Sequence, residues 1–154
     1  MPVLYMLIGV PGSGKSTWVK NRTWADKTTV VSSDRFIDEE AERQGKTYNE
    51  VFFDYIKVAT KLMENHALTA QANGLDIIWD QTNTSVKSRK SKLAMLPNYK
   101  KIAVFFKTPD QQELYRRLWS RPGKDIPDHV IASMIASLAE PTEEEGFDEI
   151  WRVE

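Results

Sequence analysis

The strongest constraint on the fold is the stretch GVPGSGKS at residues 9–16, which has the spacing G-x-x-x-x-G-K-S/T. It follows VLYMLI, an apolar run of the length a buried parallel strand uses, and it precedes a segment, 15–22, that reads as helical. A loop between strand and helix turns successive backbone N–H groups inward at the helix N-terminus, where unpaired amides and the helix dipole favour an anion. Gly12 and Gly14 supply the tight turns and close approach that a Cβ hinders. Lys15 is then expected on the β- and γ-phosphates of a nucleotide, and the Ser16 hydroxyl on Mg²⁺. Gly12, Ser13, Gly14, Lys15, Ser16 and Thr17 form the expected nucleotide-binding loop.

Strand and helix patterns alternate after this point. TTVVSS, 28–33, is a β-branched strand with Asp34 just beyond it; residues 36–44 read as a helix stopped by Gly45. Thr47 and Glu50 form a capping box opening a long helix to Asn73, before Gly74. LDIIWD, 75–80, is a third strand, followed by the turn QTNTS and a basic helix that Pro97 ends. KIAVFF, 101–106, is a fourth strand. Pro109 and Asp110 open another helix, and the irregular basic link RPGKDIP leads to a helix over 128–138 and an edge strand over 147–153. Such alternation implies an α/β three-layer sandwich of the phosphate-loop NTPase type: a mostly parallel sheet of about five strands, helices on both faces and a small lid. Ligands in these sheets bind beyond the carboxyl ends of the strands, which puts the loop, Asp34 and residues 80–83 on one rim.

The 154 residues are expected to form a single domain over residues 1–154, and the net charge of −1 gives no global field for nucleic acid, so such binding relies on a local patch. Cysteine is absent, which excludes disulfides and thiolate catalysis. MPVLYMLIGV lacks a basic leader and runs straight into the loop, and no apolar run approaches ~20 residues, so the expected location is cytoplasmic with no membrane partner.

Phosphate loops serve hydrolases, switches and kinases alike. A kinase additionally needs a base for an alcohol and cations for the transition state. Asp34 ends the second strand, which is expected beside the first, and so faces the γ-phosphate from the acceptor side as a candidate base. It is equally a common type of helix N-cap for the segment beginning at Arg35, and the residues alone leave both readings open. Asp80 follows an apolar strand and is expected to support Mg²⁺ through Ser16 or a water. Thr82 and Asn83 are turn formers that either hold the acceptor or hold Asp80. Arg116, Arg117, Arg121 and Lys124 cluster around the Pro122–Gly123 link, as suits a lid over ATP; a solvated charged face is the alternative. Lys87, Arg89, Lys90 and Lys92 form a second basic run, either a polynucleotide contact or a solubilising surface. The histidines His66 and His129 lack metal-ligand spacing, and the five tryptophans read as packing residues.

Taken in order, GVPGSGKSTW, a strand ending in SSD, DQTN with Arg89 downstream, RRLWSRPGKDIPDHVIASM and PTEEEGFDEIW resemble the kinase domain of phage-type polynucleotide 5′-kinases and their wider phosphate-loop kinase relatives. The resemblance covers nearly the whole chain. It implies donor binding by Lys15 and Ser16, with Arg121 on the donor phosphates, and general-base catalysis by Asp34; Arg117 of the basic cluster is a further expected nucleotide-binding residue. The expected catalytic set is thus Asp34, Lys15 and Arg121, and the expected substrate set Asp34, Arg35, Asp80, Thr82, Asn83 and Arg89. Two departures concern the acceptor. Ile37 stands where that family has an arginine contacting the acceptor phosphate, and Gln81 separates Asp80 from Thr82–Asn83 in a D-x-T-N arrangement more typical of the wider relatives.

The expectation is an ATP- and Mg²⁺-dependent kinase acting on a nucleic-acid hydroxyl, foremost a 5′-OH. Its rivals are a kinase of a 5-hydroxymethyl pyrimidine base within DNA, a small-molecule alcohol kinase and, from another class, a nucleotide-dependent switch.

Overall fold

Alternate residues of the first strand, β1 (Val3–Ile8), serve two cores. Leu4, Met6 and Ile8 join the larger one, with Met63, Ala67 and Ala70 from the long helix and Leu93 from the basic helix. Leu7 joins the other, flanked by Val3, Tyr5, Trp18 and Val19. A strand buried on both faces must be apolar throughout, which is why VLYMLI reads as a continuous run.

The computed structural model describes all 154 residues. After β1 come α1 (Lys15–Lys20), β2 (Thr28–Val31), α2 (Ser33–Gln44), α3 (Tyr48–Ala72), β3 (Asp76–Trp79) and α4 (Val86–Met95). They are followed by β4 (Lys100–Phe106), α5 (Gln111–Trp119), α6 (Asp128–Ser137), a 3₁₀ turn at Glu143–Glu145 and β5 (Glu149–Val153). All strand pairs are parallel, in the order β2-β3-β1-β4-β5, and helices cover both faces. This is the α/β three-layer fold expected from the alternation. β5 lies at the expected edge, and the Thr47–Glu50 capping box forms as read. No helix is long and apolar enough to cross a membrane.

The strand order corrects one expectation: β2 does not lie beside β1, because β3 runs between them, pairing Met6 with Trp79 and Val31 with the same Trp79. Burial explains the placement. β3 has three buried residues of four, whereas β2 carries partly exposed Thr28 and Thr29 and exposed Val30, a composition for an edge. A second difference is local. α2 begins at Ser33, with Ser32 as N-cap: the Ser32 Oγ accepts a 3.1 Å bond from the Asp34 N–H. Asp34 is therefore in the first helical turn rather than the cap, where the helix dipole also favours its charge.

Candidate active site

At the carboxyl rim of the sheet the loop leaves β1 with Gly12 at φ +83° and Gly14, the N-cap of α1, at φ +102°. Both are left-handed conformations that other residues adopt only at a cost. Gly12 also packs so closely on α5 that an added Cβ would lie 3.1 Å from Leu114 Cδ1. The loop start is anchored by the Gly9 N–H donating to the Thr82 carbonyl at 3.0 Å. Lys15 curls over it and donates to the Gly9 and Val10 carbonyls, each at 2.9 Å.

The rim opens into a cleft of about 2130 Å³ lined by loop residues Gly12 to Thr17, by Asp34, Asp80 and Thr82, and by Arg117 and Arg121. Pockets for a single small ligand are about 300–1,000 Å³, so this cleft has room for two reactants. Its electrostatics match a site for a polyanion. Burial lowers the Lys15 amine to about 8, with Asp80 and Asp34 opposing and Arg121 adding to the shift. Burial likewise raises the Asp80 carboxyl, opposed by Lys15 and reinforced by Asp34. Asp34, Asp80 and Arg121 thus all act on Lys15 within this cleft.

The Asp34 carboxylate is held by one side-chain hydrogen bond. The Tyr48 hydroxyl donates to its Oδ1 at 2.6 Å. Burial, and then the Asp34 carboxylate, push the Tyr48 phenol up, so it stays a donor. Gln81 accepts from Trp79 Nε1 at 3.1 Å and donates to Ser33 Oγ at 3.0 Å, tying the end of β3 to the start of α2. Gln81, the extra residue of D-x-T-N, therefore ties β3 to the helical turn that carries Asp34.

The basic link 121–127 is irregular, as read, and docks on the start of α3. The Asn49 N–H donates to the Gly123 carbonyl at 3.1 Å, and the Asn49 amide both donates to the Asp125 carbonyl at 2.7 Å and accepts from the Asp125 N–H at 3.0 Å. Lys124 pairs with Asp38 at 3.1 Å and lies 4.9 Å from the Tyr48 ring centroid. Arg117 donates to the Gly12 carbonyl at 2.9 Å while paired with Glu113, so it reaches the loop.

Other expected substrate residues lie elsewhere. Arg89 does not reach the cleft: it is fully buried, forms a bidentate pair with Glu145 at 2.9 and 3.0 Å, and donates to the Asn83, Thr84 and Ala139 carbonyls. A guanidinium with five donors suits such a joint between distant segments. Asn83 is also buried, at φ +48°, with its amide donating to the Leu7 carbonyl at 2.8 Å and its Oδ1 accepting from Lys92. Burial lowers the Lys92 amine to about 8, so the basic helix is not uniformly a solvated face. Arg35 is exposed and paired with Glu39 at 3.1 Å, off the cleft. Trp119, read as packing, is 77% exposed, because the buried stripe of α5 is Leu114 and Leu118.

Sequence reasoning missed Tyr48, Asn49, Phe52 and Phe53, which line the cleft from α3. The available signal was the aromatic run YNEVFF immediately after a capping box.

The family model described as an AAA domain, AAA_33, matches residues 4–141. Among solved structures, a chain of the Pnkp1/Rnl/Hen1 RNA repair complex is 28% identical, with a TM-score of 0.68 over 89% of this chain and 44% of that one. The present chain therefore spans under half of that relative's length. A chain of the PezAT chromosomal toxin-antitoxin system of Streptococcus pneumoniae has 19% identity and a TM-score of 0.69, covering 100% of this chain and 67% of that one. A gluconokinase from Sinorhizobium meliloti 1021 has 15% identity and a TM-score of 0.58, with 99% and 82% covered. At these last two identities the likeness is one of fold. With a phosphate loop at the rim of an all-parallel sheet and a family match over nearly its full length, the chain belongs to the AAA domain family as a kinase-like phosphate-loop member.

Proposed function

We propose that this chain is an ATP-dependent, Mg²⁺-requiring kinase that transfers the γ-phosphoryl group to a nucleic-acid hydroxyl, the 5′-OH of a DNA or RNA strand. The observation that carries the reading is the meeting of Asp34 with Lys15, Asp80 and Arg121 in one cleft large enough for donor and acceptor. A switch needs a metal-supporting carboxylate such as Asp80 but no second one poised as the base for an acceptor hydroxyl, the role this reading gives Asp34. The 28% identity to a chain of an RNA repair complex supports a nucleic-acid acceptor.

In this account the bound Mg·ATP supplies an electrophilic phosphorus and a leaving diphosphate. Loop amides, Lys15 and Arg117 hold phosphates. Asp34 accepts the acceptor hydroxyl proton on Oδ2, since Oδ1 takes the Tyr48 hydrogen bond; the acceptor oxygen bonds to phosphorus as the bridge to the β-phosphate breaks. Arg121 and Lys15 neutralise charge spread over the transferring group. Ser16 and, indirectly, Asp80 would hold Mg²⁺ beside the donor phosphates, where the ion would neutralise charge on the transferring group. That donor set of hard oxygens fits the ion.

One observation favours a second reading, phosphorylation of a hydroxymethylated base inside DNA. Ile37, where the resemblance expects an acceptor-phosphate arginine, is fully buried. The test is γ-phosphate transfer to three acceptors in parallel: a 5′-OH oligonucleotide, a 5′-blocked oligonucleotide carrying a hydroxymethyl pyrimidine, and a nucleoside mixture. Label on the first alone is expected. Label confined to the second establishes the rival, and label confined to the third makes this a small-molecule kinase.

A further inference from the structure

We infer that the N-terminal face of α3 is an acceptor subsite on which the base of an unpaired 5′-terminal nucleotide stacks, with Phe53 as its platform. The inference rests on the reading of Asp34 as the base of a nucleic-acid kinase and names how that acceptor is gripped.

Phe53 is 87% exposed in the wall of the cleft. A phenylalanine left in water forgoes the free energy of burial, and singly exposed apolar residues need no explanation; this one does not stand alone. Tyr48 and Phe52 have ring centroids 5.7 Å apart, and Phe52 and Phe53 5.6 Å apart at an interplanar angle of 87°. An aromatic chain therefore runs from the hydroxyl on Asp34 to the open ring of Phe53. Ile56 continues the same wall.

Charge selects the kind of acceptor. The α3 residues lining the cleft are Tyr48, Asn49, Phe52, Phe53 and Ile56, none of them charged. Of the cations around this wall, Lys124 is paired with Asp38 and Arg35 with Glu39, Ile37 is buried, and Arg121 is the one this reading assigns to the donor phosphates. Such a wall offers a phosphate or a sugar carboxylate no partner, but it offers a flat heterocycle a π-face. A base already paired in a duplex keeps its stacking neighbours, so the unpaired end gains more from Phe53.

Stacking of a base on an aromatic side chain is lost about 5- to 150-fold on truncation to alanine. The experiment measures anisotropy of 3′-labelled 5′-OH single-stranded oligonucleotides, with a terminal base or an abasic terminal residue, at one fixed salt concentration. Wild type, Phe53→Ala and Phe53→Trp are compared as full chains. Expected is base-dependent binding that falls within that range in Phe53→Ala, returns in Phe53→Trp, and is unchanged by Phe53→Ala for the abasic end. Equal binding by wild type and Phe53→Ala, an equal loss for both ends, or no binding by wild type overturns the inference. Base-dependent binding without phosphoryl transfer leaves the stacking standing and removes the kinase reading; transfer indifferent to Phe53 does the reverse.

Discussion

The Tyr48 hydroxyl donates a 2.6 Å hydrogen bond to Oδ1 of Asp34, joining the first turn of α3 to the first turn of α2. Lys124 of the basic link packs against the same tyrosine ring, so link, aromatic and carboxylate form one line of contact. A bond to a charged acceptor is worth about 1.5–3 kcal/mol. Tyr48→Phe is therefore expected to lower kcat by about 10- to 100-fold while the KM for ATP stays within about twofold, as read by steady-state kinetics. Unchanged kcat removes Tyr48 from the positioning of Asp34.

Lys15 gives the site a pH dependence. Burial holds its amine at about 8, and the protonated form is the one that binds phosphate. Above about 8 the complex must take up a proton, so ATP binding weakens as pH rises toward 10.5, by at most about tenfold per unit. Lys15→Met should bind ATP more weakly at pH 7 and lack this dependence, which calorimetry across pH measures. The unfolded chain, with its lysine at 10.5, binds more protons between these values than the folded one. Without nucleotide, wild type therefore gains stability relative to Lys15→Met as pH rises through that window.

The link is clamped to α3 by Asn49, whose side chain makes two bonds to the Asp125 backbone. Asn49→Ala should speed tryptic cleavage after Lys124 severalfold without shifting the thermal midpoint of the domain by more than about 2–4 °C, the effect of about 1 kcal/mol in a chain of this size. An unchanged cleavage rate shows that the remaining contacts suffice.

Arg89 carries stability instead of recognition. Removing one partner of a buried ion pair costs about 3–5 kcal/mol. Arg89→Met should lower the thermal midpoint by about 6–20 °C. A midpoint unchanged within error contradicts the structural role of the pair with Glu145.

These residues also mark what the sequence made legible. Glycine spacing and the Thr47–Glu50 box act within a few residues, and both read directly into geometry. Partners far along the chain do not. Arg89 sits in a run of lysines that reads as surface, and its carboxylate is 56 residues away; the Tyr48–Asp34 contact depends on how α2 and α3 pack. The position of β2 was legible in part, since TTVV is more polar than DIIW, but the strand order follows only when both are compared for burial.

The central claim is that Asp34 takes a proton from a nucleic-acid 5′-OH. The most direct test is transfer of labelled γ-phosphate from Mg·ATP to a 5′-OH oligonucleotide by wild type and Asp34→Asn, with ATP binding measured on both. General-base catalysis contributes about 10²–10⁴-fold. The account predicts end-labelling by wild type and a loss of that size in Asp34→Asn with ATP affinity retained; equal labelling by the two proteins, or none by wild type, contradicts it.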